Sequence, residues 1–220
     1  MLQLMAFMVL SLALGFKHSY DPDHLIAVSN ILHKVKSIKS SVKIGLSWAL
    51  GHMITTTIVT IMLYAFKETI LSNILPHFEK IVGIMLIVLG LLSLKELLFF
   101  HSHAHSHGNV THSHTHMHLK QREEKHFHRH MLGIGIVHGL ASNDELLVLF
   151  TASLAVTSLG WLIIGLGIFS IGVVLGMILF ACLLSYPLLK IHSELIRKTV
   201  IFATGSTGII YGILMTAALA

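Results

Sequence analysis

Phe16-Lys17-His18-Ser19-Tyr20-Asp21-Pro22-Asp23-His24-Leu25-Ile26-Ala27-Val28 decides the fold, because this stretch puts charge and a proline inside an otherwise apolar run, Leu2–His33. Proline within a helix removes a hydrogen bond and clashes with the preceding turn, yet it suits the first position of a new helix. The stretch therefore predicts one helix ending near His18 and a second with Asp21 as N-cap, Pro22 as first residue, and Asp23 and His24 in its first turn. On one unbroken helix, positions six apart point about 240° away from each other. The break frees His18 to fold back towards His24. It also leaves open backbone groups that can face an ion or its waters. A helix N-terminus is electropositive and repels a dication; Asp23 offsets that field.

The rest of the chain sets this break in lipid. Of 220 residues 54% are hydrophobic and 11% charged, and the mean hydropathy is +0.80. A soluble domain carries about 25% charged residues. The apolar surface exceeds what one core of this size can bury. Spanning helices need about 20 mainly apolar residues. Ile44–Phe66, Ile81–Phe100, Trp161–Pro187 and Thr199–Leu219 fit directly, while Leu2–His33 and Met131–Thr157 are long enough but interrupted, at Lys17–His24 and His138–Glu145. The expectation is an all-α, polytopic cell-membrane protein of six spans. The apolar start, with no charged segment before it, reads as part of the mature protein rather than a signal peptide. The single cysteine, Cys182, excludes a disulfide framework or a cysteine-rich metal site, and reads as a small buried hydrophobe.

Basic residues set an orientation. Lys34, Lys36, Lys39 and Lys43 follow span one; Lys95, Lys120, Arg122, Lys125 and Arg129 flank or lie in the loop after span three; Lys190, Arg197 and Lys198 follow span five. These 12 of the 15 Lys and Arg fall on one side, against Lys67 and Lys80 on the other and Lys17 at the break. The positive-inside rule then places both termini outside and 101–130 in the cytoplasm. The net charge of +5 and pI near 9.4 are thus read as loop charge rather than as a nucleic-acid surface.

With His18 laid over His138, the two halves come into register. Each has a polar break in its first span; Gly51 follows His18 by 33 residues and Gly172 follows His138 by 34, and Gly83/Gly90 match Gly205/Gly212 in spacing. Three spans per half is odd, so the second half runs upside down. The expected organisation is a first three-helix repeat over 1–100, a cytoplasmic loop over 101–130 and an inverted repeat over 131–220. Inverted repeats with broken helices are an architecture of secondary transporters, with the site near the midplane.

Four of the ten acidic residues, Asp21, Asp23, Asp144 and Glu145, lie at the breaks. A carboxylate at a membrane-helix centre costs about 2.5–3.5 kcal/mol on insertion scales, so such groups persist where they meet a cation, a proton path or water. His18, His24, His52 and His138 lie at similar depth. Imidazole with carboxylate suits nickel, cobalt, zinc or copper better than magnesium or calcium. Asp21, His138, Asn143, Asp144 and Glu145 are candidates for a metal or proton path. Ser142-Asn143-Asp144-Glu145 is also a capping box, which needs no metal, and His138 has the alternative of bonding a backbone carbonyl. His52 follows Leu50-Gly51, and Gly51 admits a close neighbouring backbone. It precedes Thr55-Thr56-Thr57, which can bond their own helix carbonyls.

On these residues the chain resembles the nickel/cobalt transporter family with its NicO-type relatives. The family's His-x4-Asp-His signature reads His18 to His24 here, its Leu-Gly-His motif reads Leu50-Gly51-His52, and a glycine-leucine stretch running into an acidic pair is loosely similar to Gly139-Leu140 through Asp144-Glu145. The resemblance implies that His18, Asp23, His24 and His52 select nickel or cobalt. Typical members have eight spans against six here, which leaves the direction of transport open.

Between His101 and His130 lie 11 of the 18 histidines. His101, His103, His105, His107, His112, His114, His116 and His118 alternate with small or polar residues, a composition that predicts a segment without fixed structure until metal binds. The expected role is a cytosolic metal buffer or sensor. No phosphate-binding Gly-x4-Gly-Lys loop and no His-Glu-x-x-His helix occurs, so the expected function is not an enzyme. It is a secondary transporter of a divalent metal ion, with uptake favoured, no resident cofactor, and lipid but no nucleic acid as partner. Metal efflux, zinc transport, and a sensing or delivery role in metalloenzyme assembly are the alternatives.

Overall fold

The computed structural model describes residues 2–66, 75–98, 100–107, 110–117, 124–141, 159–190 and 193–218. Helices α1 (Leu2–His18) and α2 (Pro22–Leu32) meet at the expected break and bend there by 53°. They are followed by α3 (Ile38–Phe66) and α4 (Leu75–Leu98), then strands β1 (Phe100–His107) and β2 (Val110–Met117), then α5 (Glu124–His138), α6 (Leu159–Lys190) and α7 (Glu194–Ala217). Ser193 caps α7 by accepting the Ile196 amide, with Glu194 in the first turn. Among the described residues three helical stretches, Ile38–Met62, Gly160–Lys190 and Glu194–Ala217, are long and apolar enough to cross a membrane, and α1 with α2 makes a fourth if the bent pair is one span.

Surface and interior are exchanged relative to a water-soluble fold. Ile54, Ile58, Leu91, Ile171, Leu183 and Leu214 are each more than half exposed, whereas His18, His24, Asn30, His52 and His138 are buried. Water would penalise that apolar exterior; lipid accepts it. The chain is a membrane protein.

Glycine sets how closely the helices pack. α1 lies on α6, α3 on α5, and α4 on α7. A side chain at Gly15 would strike the Phe169 carbonyl, and one at Gly172 the Leu12 carbonyl; at Gly135 it would strike the Trp48 carbonyl, and at Gly51 the Leu132 carbonyl. In the third pair Gly83 meets Gly212 and Gly90 meets Gly205. Such backbone contact replaces the hydrophobic drive that lipid removes. Between these pairs sits a core of Leu32, Trp48, Met131, Phe169, Val173 and Met177.

The histidine-rich stretch and several helix ends differ from expectation. The histidine-rich stretch, predicted to lack fixed structure, pairs as an antiparallel hairpin with His101 opposite His116, His103 opposite His114 and His105 opposite His112. Its period of two matches a strand, and threonine favours one. α4 stops at Leu98, so Phe100 opens the hairpin instead of ending a span. α5 begins at Glu124, seven residues before the expected Met131. His118, Asn143, Asp144 and Glu145 lie outside the described residues.

Candidate metal centre at the helix break

His18 is the last residue of α1, and the chain leaves it through tight turns: Ser19 N–H bonds Gly15 O, Tyr20 N–H bonds Lys17 O, and Asp21 N–H bonds His18 O. Asp21 occupies the N-cap of α2 with extended backbone (φ −63°, ψ 142°), and Pro22 follows as first residue. The cap differs in one respect from the sequence reading. The Asp21 carboxylate makes no cap hydrogen bond; it accepts Nδ1–H of His18 at 2.8 Å.

That switch fixes an imidazole. A carboxylate can only accept here, so His18 carries its proton on Nδ1 and turns the Nε2 lone pair inward. His24 is fixed the same way, because its Nδ1 lies 2.8 Å from the His18 carbonyl, which also can only accept. Its Nε2 therefore carries the lone pair too. This arrangement, an outer oxygen holding each ring so that the other nitrogen faces a cation, is the usual one around protein-bound metals.

His52 reaches the same point from α3, its Nε2 3.2 Å from Nε2 of His18. Two ligands about 2.05 Å from one tetrahedral ion stand about 3.3 Å apart, so the spacing fits a shared cation. Trp48, one turn earlier on α3, stacks on His52 (4.8 Å, 14°) and meets His24 and His138 edge-on. Phe169 of α6 covers His18.

His138, at the end of α5, places Nε2 2.9 Å from Oδ2 of Asp23, and Asp23 Oδ2 is 3.7 Å from Nε2 of His24. The partner of His138 is thus a carboxylate 115 residues away rather than a backbone carbonyl. Two overlapping groups result, His18–His24–His52 and Asp23–His24–His138, each with its ligand atoms within 4.8 Å of one another. Thr55 and Thr60 bond carbonyls of their own helix, while Thr56 reaches across to the Gly139 carbonyl and ties α3 to the end of α5.

Sequence reasoning missed two features. Trp48 lies four residues before His52, a spacing that puts both on one helix face and was open to notice. The other is a polar junction at the far end of α2. There His33 donates to Glu96 at 2.8 Å, Lys34 pairs with the same carboxylate, and Arg197 donates to the His33 carbonyl at 3.3 Å. Nearby, Asn30 donates to the Thr204 carbonyl and receives Ser93 on its own carbonyl. A charge at Glu96 within an apolar span was the signal; its partner, 63 residues away, left none.

No protein-family model and no solved structure matches the chain. It is 30% identical over 207 residues to the urease accessory protein UreH of Bacillus sp. (strain TB-90), a match that covers 91% of this chain and 88% of that one. A match over that share of the chain takes in residues of both halves of the molecule. The chain belongs to the family of the urease accessory protein UreH.

Proposed function

We propose that this protein carries a divalent transition-metal ion, nickel first, across the membrane and so supplies urease assembly. The observation that carries the reading is the convergence of His18, His24 and His52 on one point inside an apolar shell, with Asp23 and His138 beside them. Burying that much polar side chain costs several kcal/mol unless each group has a partner, and a cation bound by nitrogen is a partner for all three imidazoles. The relative named as a urease accessory protein points to metalloenzyme assembly as the destination, and the resemblance of His18 to His24 and of Leu50-Gly51-His52 to the nickel/cobalt transporters puts nickel first. Cobalt and zinc share the ligand preference.

For the architecture we propose six spans in two inverted repeats. The helix crossings support it, since Gly15 on Phe169 and Gly172 on Leu12 recur as Gly135 on Trp48 and Gly51 on Leu132. So do the turns leaving His18 and His138: Ser19 N–H to Gly15 O recurs as Gly139 N–H to Gly135 O, and Asp21 N–H to His18 O recurs as Ala141 N–H to His138 O. The excess of Lys and Arg after spans one, three and five places both termini outside and the histidine-rich hairpin in the cytoplasm.

Inward movement needs no other energy source, because an inside-negative potential favours each entering charge by about 2.3 kcal/mol per 100 mV. The test is nickel flux into proteoliposomes. Wild type is expected to take up nickel and His18→Ala and His24→Ala to lose uptake; absence of nickel, cobalt or zinc flux in wild type under any gradient rejects the reading. A delivery role is the second reading, favoured by the relative's name as an accessory protein. Deleting 101–130 separates the two: flux survives if the hairpin only buffers metal, and urease activation fails with flux intact if it hands metal on.

A further inference from the structure

Resting on the metal-centre reading, we infer that the break holds two alternative cation positions that cannot be filled together, with His24 passing the ion from one to the other. The two ligand groups, His18–His24–His52 and Asp23–His24–His138, have one residue in common. His24 has one nitrogen to give. Its Nδ1–H is committed to the His18 carbonyl at 2.8 Å, and a neutral imidazole then has a single lone pair, on Nε2. One lone pair binds one ion. The positions are therefore successive stations for a single cation rather than a two-metal site.

The stations differ in chemistry. The first offers three neutral imidazoles; Asp21 acts on it only through the far nitrogen of His18, and Asp23, 3.7 Å from Nε2 of His24, does not group with His18 and His52. This set favours borderline metals such as nickel, cobalt or zinc over magnesium and calcium. The second exchanges two imidazoles for the carboxylate of Asp23 and for His138, whose Nε2–H donates to that carboxylate at 2.9 Å; an ion entering there takes this nitrogen as the ring proton moves to Nδ1, which is buried without a partner, and the carboxylate half neutralises a dication. Selection at one station and charge compensation at the other are separated by the swing of an ion about a fixed ligand. His24 never needs to let go. The carbonyl that holds it exists because Pro22 ended the first helix; in an unbroken α1 the His18 carbonyl would be taken by an amide one turn on.

Equilibrium dialysis of the purified full-length chain against nickel tests this, read as the difference in bound ions between each variant and wild type so that the hairpin histidines cancel. His24→Asn is the reference variant, since the asparagine amide keeps a donor near the His18 carbonyl and lacks the outer nitrogen; Trp48 fluorescence in a Trp161→Phe background reports that the site stays folded. The expected loss on His24→Asn is one ion per chain. His52→Ala and His138→Ala each retain that ion, the double variant loses it, and each single variant transports at least tenfold more slowly than wild type. Loss of two ions on His24→Asn overturns mutual exclusion, and loss of the ion on either single variant reduces the site to one station. No loss on His24→Asn removes the metal centre itself. Wild type that binds its ion but shows no flux removes the transport reading and leaves the two stations standing.

Discussion

Asp21 illustrates how much a single side chain can do without touching the ion. Its position promised a helix cap, yet the carboxylate turns to His18 Nδ1 at 2.8 Å and leaves the cap unmade. Removing such an outer ligand elsewhere lowers metal affinity roughly 10–100-fold. Asp21→Ala is expected to weaken nickel binding by that range, and Asp21→Asn, whose amide oxygen still accepts the imidazole proton, by clearly less. Equal losses in a competition assay would remove the orienting role. At this scale much was legible: proline, two histidines and a carboxylate within seven residues give the break and most of the side chains that gather at it from sequence alone. His138 was legible only as a candidate. Its pairing with Asp23 spans 115 residues; the sequence set it at the depth of His18, His24 and His52 and offered only a backbone carbonyl as its alternative partner.

At the scale of elements, a methyl group can displace a ligand it never meets. Gly135 lets α5 lie against the Trp48 carbonyl of α3, which brings His138 within reach of Asp23. Gly135→Val is expected to cost about 1–3 kcal/mol through overpacking and to weaken nickel binding together with the thermal midpoint in detergent. Gly133, on the same helix, has nothing within 4 Å of where a side chain would start, so Gly133→Val is the matched control and should leave binding as in wild type. The contrast was not readable in advance, because glycine is common in membrane helices and only the crossing shows which one carries the contact. Pattern foresaw helices where the described residues overlap its spans, but α3, α4 and α5 begin before the expected Ile44, Ile81 and Met131, α4 ends at Leu98 rather than Phe100, and residues 142–157 of the expected span Met131–Thr157 lie outside the described residues. Between α4 and α5 the histidine-rich chain follows strand period and joins neither a span nor a disordered loop.

For the whole molecule, the exchange of polar interior for apolar exterior means that a hydrated dication meets water-like ligands only in the centre. Two charges moving through 100 mV gain about 4.6 kcal/mol, and with 1.4 kcal/mol per tenfold this allows accumulation of roughly a thousandfold. Vesicles given an inside-negative potential should therefore concentrate nickel against its gradient, and collapsing the potential should release it. Uptake indifferent to potential would mean that a counter-ion, exchanged charge for charge, sets the direction. The composition alone revealed the exterior. The junction of His33, Lys34, Glu96 and Arg197 was hidden because its members come from three separate segments.

The glycine crossings carry a mechanical consequence. Where two backbones touch with nothing between them, no rotamer can yield, so each pair of rods travels as one piece. Gly45 of α3 also meets the Met177 carbonyl of α6, so the pair that carries His18 and the pair that carries His52 and His138 are joined to each other. A frame joined in this way sets the distances from His18 to His52 and from His52 to His138 by main chain on main chain, with no side chain between to take up slack.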